Sequence, residues 1–326
     1  MLFHPPKNPV ELKIRHLNDA QKQRREDLME ATQGKAALKQ FKKVMAKKAK
    51  QALKAKTKNK KKHTDDKAQV FVLDFDGDIK ATAVKHLREE ISTLISTANK
   101  GDEVIVRLES GGGLVHGYGL AAAQLVRLKD AGLKLTVCVD KVAASGGYMM
   151  ACVADKVVAA PFAIIGSIGV VSQLPNFHKW LKNHDVDYEM FTAGDYKRTV
   201  TVFGENDAED RAKYQEELEQ THELFKHFVN TYRPELDVAK VATGEHWYGE
   251  DALKLNLIDS LQTSDSYILE RMEDNEVYAL YSRQKPTLAE KLGLAQAAEA
   301  TLSMAVDKLP DALARFDLDS RLNILK

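Results

Sequence analysis

The chain has only two cysteines in 326 residues, Cys138 and Cys152, and both sit in apolar runs. That excludes a disulfide framework and points to buried thiols. Residues 35–62 lack negative charge altogether, holding 13 lysines and neither Asp nor Glu. The formal net charge of +1 therefore hides a basic arm on an acidic body. The arm also lacks arginine and has one aromatic residue, Phe41. With a single aromatic for stacking and no arginine for bidentate base readout, no nucleic-acid partner is expected. What remains is a solvated tether or attraction to an anionic membrane surface, where each lysine contributes ~1 kcal/mol.

Charge is also missing from Val157 to Phe177, but Pro161, Gly166, Gly169 and Pro175 interrupt that run. The breaks suit buried strand and loop, not a membrane-spanning helix. The first 25 residues open with Pro5, Pro6 and Pro9 and continue as a charged helical pattern, so no signal peptide or transmembrane segment is visible. No repeat of solenoid period occurs. With 44% hydrophobic and 29% charged residues, the composition is that of a globular enzyme body large enough to bury its own core.

From Ala68 onward, strand and helix patterns alternate. Strands are predicted at Val70–Phe75, Glu103–Leu108, Lys134–Val139 and Lys156–Ala160, and helices at Val84–Ala98, residues 116–130 and Gly146–Val153. This β-α-β-α-β-α-β order predicts an α/β fold with parallel strands, right-handed crossovers and a site at the strand carboxyl ends. A long charged helix follows at Ala208–Tyr232, and a turn and helix within Thr243–Leu261 finish the body. The expected organisation is a basic, helical or flexible region 1–67, a core 68–265 and a tail 266–326. The tail combines a strand-like Glu276–Tyr281, a break at Pro286 and an amphipathic pattern from Leu288 to Leu309, and reads as packing or oligomer contact.

Two glycine turns follow consecutive strands: Ser110-Gly111-Gly112-Gly113, and Ala143-Ala144-Ser145-Gly146-Gly147 at a helix start. If their strands are neighbours, both turns present backbone N–H groups to one point, an arrangement suited to an oxyanion. Ser145 beside that point is either a nucleophile or an ordinary helix N-cap, and spacing leaves both open. As base, His116 has no orienting carboxylate, whereas Lys197 in Gly194-Asp195-Tyr196-Lys197 serves if it is placed in a dry pocket.

Other motifs read as structural. Asp74-Phe75-Asp76-Gly77-Asp78 has the form of a phosphatase opening motif, but no downstream carboxylate pair accompanies it, and an acidic turn is expected. His222 and His227, with Glu223 between, are spaced one residue too far apart for a zinc helix and read as a surface helix.

Four motifs in register, Arg107-Leu108-Glu109-Ser110-Gly111-Gly112-Gly113, Ala144-Ser145-Gly146-Gly147-Tyr148, Gly166-Ser167-Ile168-Gly169-Val170 and Gly194-Asp195-Tyr196-Lys197, resemble the SohB-type serine proteases of the signal peptide peptidase family. The resemblance covers Ala68–Leu261 and extends to the basic arm. It implies a Clp-protease/crotonase-like fold with repeated β-β-α/β-α units, a basic helical N-terminal arm and a helical C-terminal tail. It further implies a Ser–Lys dyad of Ser145 and Lys197, with Ser167 supporting the lysine and Gly113 and Gly146 as oxyanion donors. No metal and no other cofactor is implied. The expected partners are peptide or protein substrates, among them signal-peptide remnants and membrane-associated proteins, together with further copies of the chain. The expected location is the periplasmic face of the inner membrane.

Two positions depart from the family pattern. Gly111 stands where proline is usual, which loosens the turn, and Asn256 stands where glycine is usual before Leu257-Ile258-Asp259. Two rivals use the same residues differently. A crotonase-type acyl-CoA enzyme needs the two N–H groups plus carboxylates, and a non-catalytic scaffold uses only the lysine arm.

Overall fold

A computed structural model describes residues 10–58, 68–194 and 196–284. The chain divides into a unit of residues 13–281 and a second unit of residues 1–12 with 282–326, of which only 10–12 and 282–284 are described. The expected break at Pro286 and the amphipathic pattern from Leu288 lie outside the described residues.

The elements run in order from β1 (Val10–His16) and α1 (Leu17–Lys58) to the first core strand, β2 (Gln69–Gly77). Then come α2 (Val84–Thr97), β3 (Glu103–Ser110), α3 (Val115–Asp130), β4 (Lys134–Val139), β5 (Val142–Ala144), α4 (Gly146–Ala151), β6 (Lys156–Ala159) and β7 (Ile164–Gly166). After α5 (His178–Lys182) and α6 (Ala208–Tyr232), the chain forms α7 (Val238–Val241), β8 (His246–Tyr248), α8 (Gly249–Lys254), β9 (Ser260–Leu261), α9 (Ser264–Asp274) and β10 (Glu276–Gln284).

Parallel strands in the order β10-β2-β3-β4-β6-β9 form the main sheet. Strand alternation sends β2 side chains to two layers. Val70 and Val72 pack with Ile105, Tyr267, Ile268 and Val277 beneath α9. On the other side, Phe75 meets Tyr118 of α3 edge-on, with ring centroids 6.5 Å apart. Helix α2 faces the core through Val84, Leu87, Ile91 and Leu94, spaced three or four apart as one helical stripe requires. Each such fully buried side chain contributes ~1.5–3 kcal/mol. The α/β class expected from the sequence is thus the fold observed.

At the end of β3 the sheet forks. Ser110 pairs with Ala143 of β5, β5 runs parallel to β7, and β7 pairs antiparallel with β8. The fork sets three strand carboxyl ends side by side.

Helix α1 is not one rod. Gly34, at φ 81° and ψ 166°, breaks it. Lys42 Nζ lies 2.9 Å from Glu26, and the Arg25 guanidinium stands 4.7 Å over the Phe41 ring. Residues sixteen apart on a straight helix would stand about 24 Å apart, so the two arms fold back on one another. As far as Lys42, the tether reading of this arm therefore gives way to a hairpin with Leu38 buried within it. The helical character expected of the arm is present. The tail division at 265 does not follow compactness, because α9 and β10 through residue 281 share the unit of the core.

Cys138 and Cys152 are free and buried, and burial pushes both thiols up to about 12. Asn256 adopts φ 61°, the left-handed turn for which asparagine is suited, while Leu257 N donates back to Ala252 O. Among the described residues, no helix is long and apolar enough to cross a membrane. The uncharged run from Val157 is β6, β7 and loop.

Candidate active site

Three of the four sequence motifs arrive together at the fork. Strand β3 delivers Gly111–Gly113, β5 delivers Ser145 and Gly146, and β7 delivers Ser167. The register pairs Ala144 with Gly166, and Ser145 N donates to Gly166 O at 2.8 Å, so Ser145 and Ser167 leave neighbouring strand ends.

Ser145 has φ 52° and ψ −120°, a region that L-residues with a Cβ rarely occupy. Such a conformation costs on the order of 1–3 kcal/mol and persists only where the surroundings impose it. The imposing contacts are visible. A Cβ built on Gly146 would stand 2.4 Å from Tyr118 Cγ, and one on Gly147 2.4 Å from Ser110 O, so the first turn of α4 is pressed against α3 and β3. Ser145 makes no side-chain hydrogen bond to the α4 backbone. The N-cap role left open by the sequence is therefore not the one it fills.

The glycine turn reaches the same point from the other side. Gly112 sits at φ 88°, and a Cβ there would lie 2.7 Å from both Gly146 N and Ser145 Cβ. Two polar groups hold this turn from within the core. Ser110 Oγ accepts from Gly112 N at 3.0 Å and lies 2.5 Å from the Tyr118 hydroxyl, which donates to Asp78 O at 2.7 Å. Burial raises the Tyr118 phenol further above its ordinary value, so it remains a neutral donor.

A cavity of about 730 Å³ opens at this junction, lined by Gly111–Gly113, Ser145, Gly146, Ser167, Met149 and several aliphatic side chains. Among the described residues, no charged side chain lines it. Helix α6 supplies another wall with Thr221, His222 and Phe225. An N-terminal capping box of Asp207 and Asp210 starts this helix, and at its C-terminal end Arg233 grips Asp259 at 2.8 and 3.0 Å. The helix is largely exposed, as its surface-helix reading expects, but His222 is half-buried in the cavity wall whereas His227 is exposed. Sequence offered no signal for this, because which face of a charged helix meets a cavity is a tertiary fact.

Lys197 is the sequence candidate that is not part of the cavity lining. It is exposed, and its amide donates to Gly194 O at 3.1 Å. The acidic motif, expected as a turn, is instead the last part of strand β2 through Gly77, and the turn begins only at Asp78. Asp74 is bound bidentately by Arg107 at 2.6 and 2.9 Å, and the Asp78 carboxylate accepts from Thr82 and Lys80, bonds that hold it below the usual carboxylate range.

An α/β sheet with a strained serine between two glycine loops belongs to the architecture of hydrolases and acyl-transfer enzymes. Sequence comparison narrows this. Residues 127–278 match the description "Peptidase family S49" and residues 4–125 match "Peptidase family S49 N-terminal". A probable protease SohB of Haemophilus influenzae is 58% identical over 240 residues, covering 74% of this chain and 68% of that protein. Another probable protease SohB, of Buchnera aphidicola subsp. Schlechtendalia chinensis, is 56% identical over 214 residues, 66% of this chain and 70% of its own. Among solved structures, a 1510-N membrane-bound stomatin-specific protease in complex with a substrate peptide superposes at a TM-score of 0.43 with 14% identity, covering 70% of this chain and 96% of that one. The chain belongs to peptidase family S49. The resemblance to SohB-type proteases drawn from the four motifs is borne out, and family and relatives together support a protease.

Proposed function

We propose that the chain is a serine endopeptidase working through a Ser145–Lys197 dyad. The observation that carries the reading is the strained backbone of Ser145, which gives up helix capping and instead turns its residue into an uncharged cavity beside two glycine loops. In this reading the neutral Lys197 amine takes the Ser145 Oγ proton as Oγ adds to a peptide carbonyl. The oxyanion is held by the N–H groups of Gly113 and Gly146, a pair in which each donor is worth roughly 10²–10³ in kcat. Collapse breaks the C–N bond, the Lys197 ammonium protonates the departing amine, and water then releases the acyl group by the same route reversed. Ser167 accepts or donates to the lysine amine.

Because Lys197 is exposed outside the cavity, the mechanism requires its loop to close on Ser145, in its own chain or from a neighbouring copy. Homo-oligomerisation is part of the proposal for that reason. The substrates are extended peptides with uncharged side chains, released from membrane proteins or signal peptides, and the site of action is the periplasmic face of the inner membrane. The crotonase rival has less support, since among the described residues no carboxylate lines the cavity.

The test is labelling by an acylating serine probe together with hydrolysis of a fluorogenic peptide. Ser145→Ala should lose both. Lys197→Ala should lose both while keeping its thermal transition and oligomeric state. Labelling of Ser145 that survives Lys197→Ala would remove the lysine from the mechanism.

A further inference from the structure

Of the 25 large hydrophobic side chains exposed among the described residues, ten lie within residues 171–203. This excursion between β7 and α6 is nevertheless tied together. The Asn176 side chain donates to Thr201 O and Gly204 O at 3.0 Å each, and Phe177 N donates to Val202 O at 2.7 Å. Phe203 stacks on Phe177 and meets Tyr188, with ring centroids 6.1 and 5.9 Å away. Around that knot Trp180, Val186, Met190 and Phe191 stay uncovered, Phe191 at 89% exposure. An apolar surface this dense on an ordered segment marks a contact with another molecule.

The charges beside it decide which molecule. Helix α5 has no buried residue and carries Lys179 and Lys182, and Asp185, Asp187 and Glu189 follow it. All five are exposed, and none makes an ion pair with another described residue. An anionic membrane attracts the two lysines but repels the three acids. A second copy of the chain suits both halves at once, because a basic stretch followed by an acidic one is its own complement when two copies meet. Aromatic side chains bordered by charge are also the composition of protein interfaces.

We propose that residues 171–203 form the surface through which copies of this chain associate, burying Trp180 and Phe191 and setting Lys179 and Lys182 of each copy against Asp187 and Glu189 of the next. The proposal rests on the peptidase reading for the need of an assembly, and it supplies the surface that makes one.

The experiment follows the full chain by sedimentation velocity over a range of concentrations at low salt. Lys179→Glu with Lys182→Glu turns the strip acidic. Asp187→Lys with Glu189→Lys turns it basic, and Asp185 is kept because its φ of 52° suits aspartate. Each double variant should need about tenfold more protein than wild type to associate, with its far-UV circular dichroism unchanged. Mixed one to one, the two variants should associate again as wild type does, since the contact then joins opposite charges. Phe191→Asn should weaken association at low and high salt alike. A wild type that stays monomeric, charge reversals without effect, or a mixture that stays monomeric would overturn the proposal. So would wild-type monomers that bind lipid vesicles and lose that binding on Phe191→Asn, a result that gives this face to a membrane. Peptide hydrolysis by the same samples keeps the two readings apart. Assembly that follows the charges, with no hydrolysis by wild type, would sink the peptidase reading and keep this one. Full hydrolysis by wild-type monomers would do the reverse.

Discussion

The Tyr118 hydroxyl lies 2.5 Å from Ser110 Oγ, and the same tyrosine ring packs where a Gly146 side chain would be. One residue of α3 therefore braces both glycine loops of the candidate site, the first through Ser110 and Gly112 N–H, the second by direct contact. Tyr118→Phe keeps the ring and removes only the hydroxyl link. With Ser110 Oγ freed to rotate, the Gly112–Gly113 turn loses its anchor. The expected result is a fall of about tenfold in kcat, ~1.4 kcal/mol of transition-state stabilisation, with KM nearly unchanged. Steady-state kinetics on a fluorogenic peptide measure this, and a thermal melt tracks the ~1–2 kcal/mol of stability lost with the buried bonds. Unchanged kcat would show that the turn holds itself.

The glycine turn makes a paired prediction. Gly111 has open space where a Cβ would stand, whereas Gly112 combines φ 88° with Gly146 N and Ser145 Cβ at 2.7 Å. Gly111→Ala should leave activity intact and, by restricting the unfolded chain, raise stability by up to ~1 kcal/mol. Gly112→Ala should displace the turn and remove activity. Urea unfolding and peptide hydrolysis of the two single variants decide this, and equal behaviour of the pair would contradict the geometry described.

Much of this was legible in the sequence, and the reasons are physical. Strands β2, β3, β4 and β6 and helices α2, α3 and α6 carry enough residues to show a period, and their bounds differ from expectation by only a few residues. Strands β5 and β7 have three residues each, too few for any alternation, so the fork they create went unseen although Ser145 and Ser167 at their ends had been singled out. Asn256 could be read because a left-handed turn has a residue signature. The place of His222 in the cavity wall could not, since it depends on which way α6 lies. The position of Lys197 depends on a loop whose partners are not set by local pattern.

The start of α1 carries a titrating clamp. His16 lies 2.8 Å from Asp19 and 2.7 Å from Glu276, and stacks on Tyr278 with ring centroids 4.8 Å apart. The Asp19 hydrogen bond is the largest influence on this imidazole and, with Glu276, raises its pKa above 6.5 despite some desolvation. A group whose folded pKa exceeds its unfolded one contributes fully below the unfolded value and loses that contribution as pH rises through the folded value. Stability from this clamp is therefore complete below about pH 6.5 and declines above it. Thermal melts across pH 5.5–8.5 should show a decline in wild type that is flattened in His16→Gln. Parallel profiles for the two proteins would exclude the clamp.

The lysine arm calls for a charge change in place of a truncation. Removing residues 1–67 would also remove Asn18, whose side chain donates to Met272 O and Asn275 O and accepts from Val277 N, at the junction of α9 and β10. A truncated chain could therefore leave a membrane because its fold is damaged. Lys35, Lys39 and Lys43 are exposed, whereas Lys42 is engaged by Glu26. The triple change Lys35→Gln, Lys39→Gln, Lys43→Gln removes charge while sparing the Lys42–Glu26 pair, and gives up only the longer, exposed Lys35–Glu30 pair at 3.9 Å. At ~1 kcal/mol for each lysine near an anionic surface, the three together are worth a factor of about 100 in partitioning. Co-sedimentation with phosphatidylserine vesicles at low salt should show that loss, and 0.5 M salt should weaken wild-type binding in the same direction, since surface charges are screened within a few ångströms there. Vesicle binding by the triple variant equal to wild type would leave these three lysines without a membrane role.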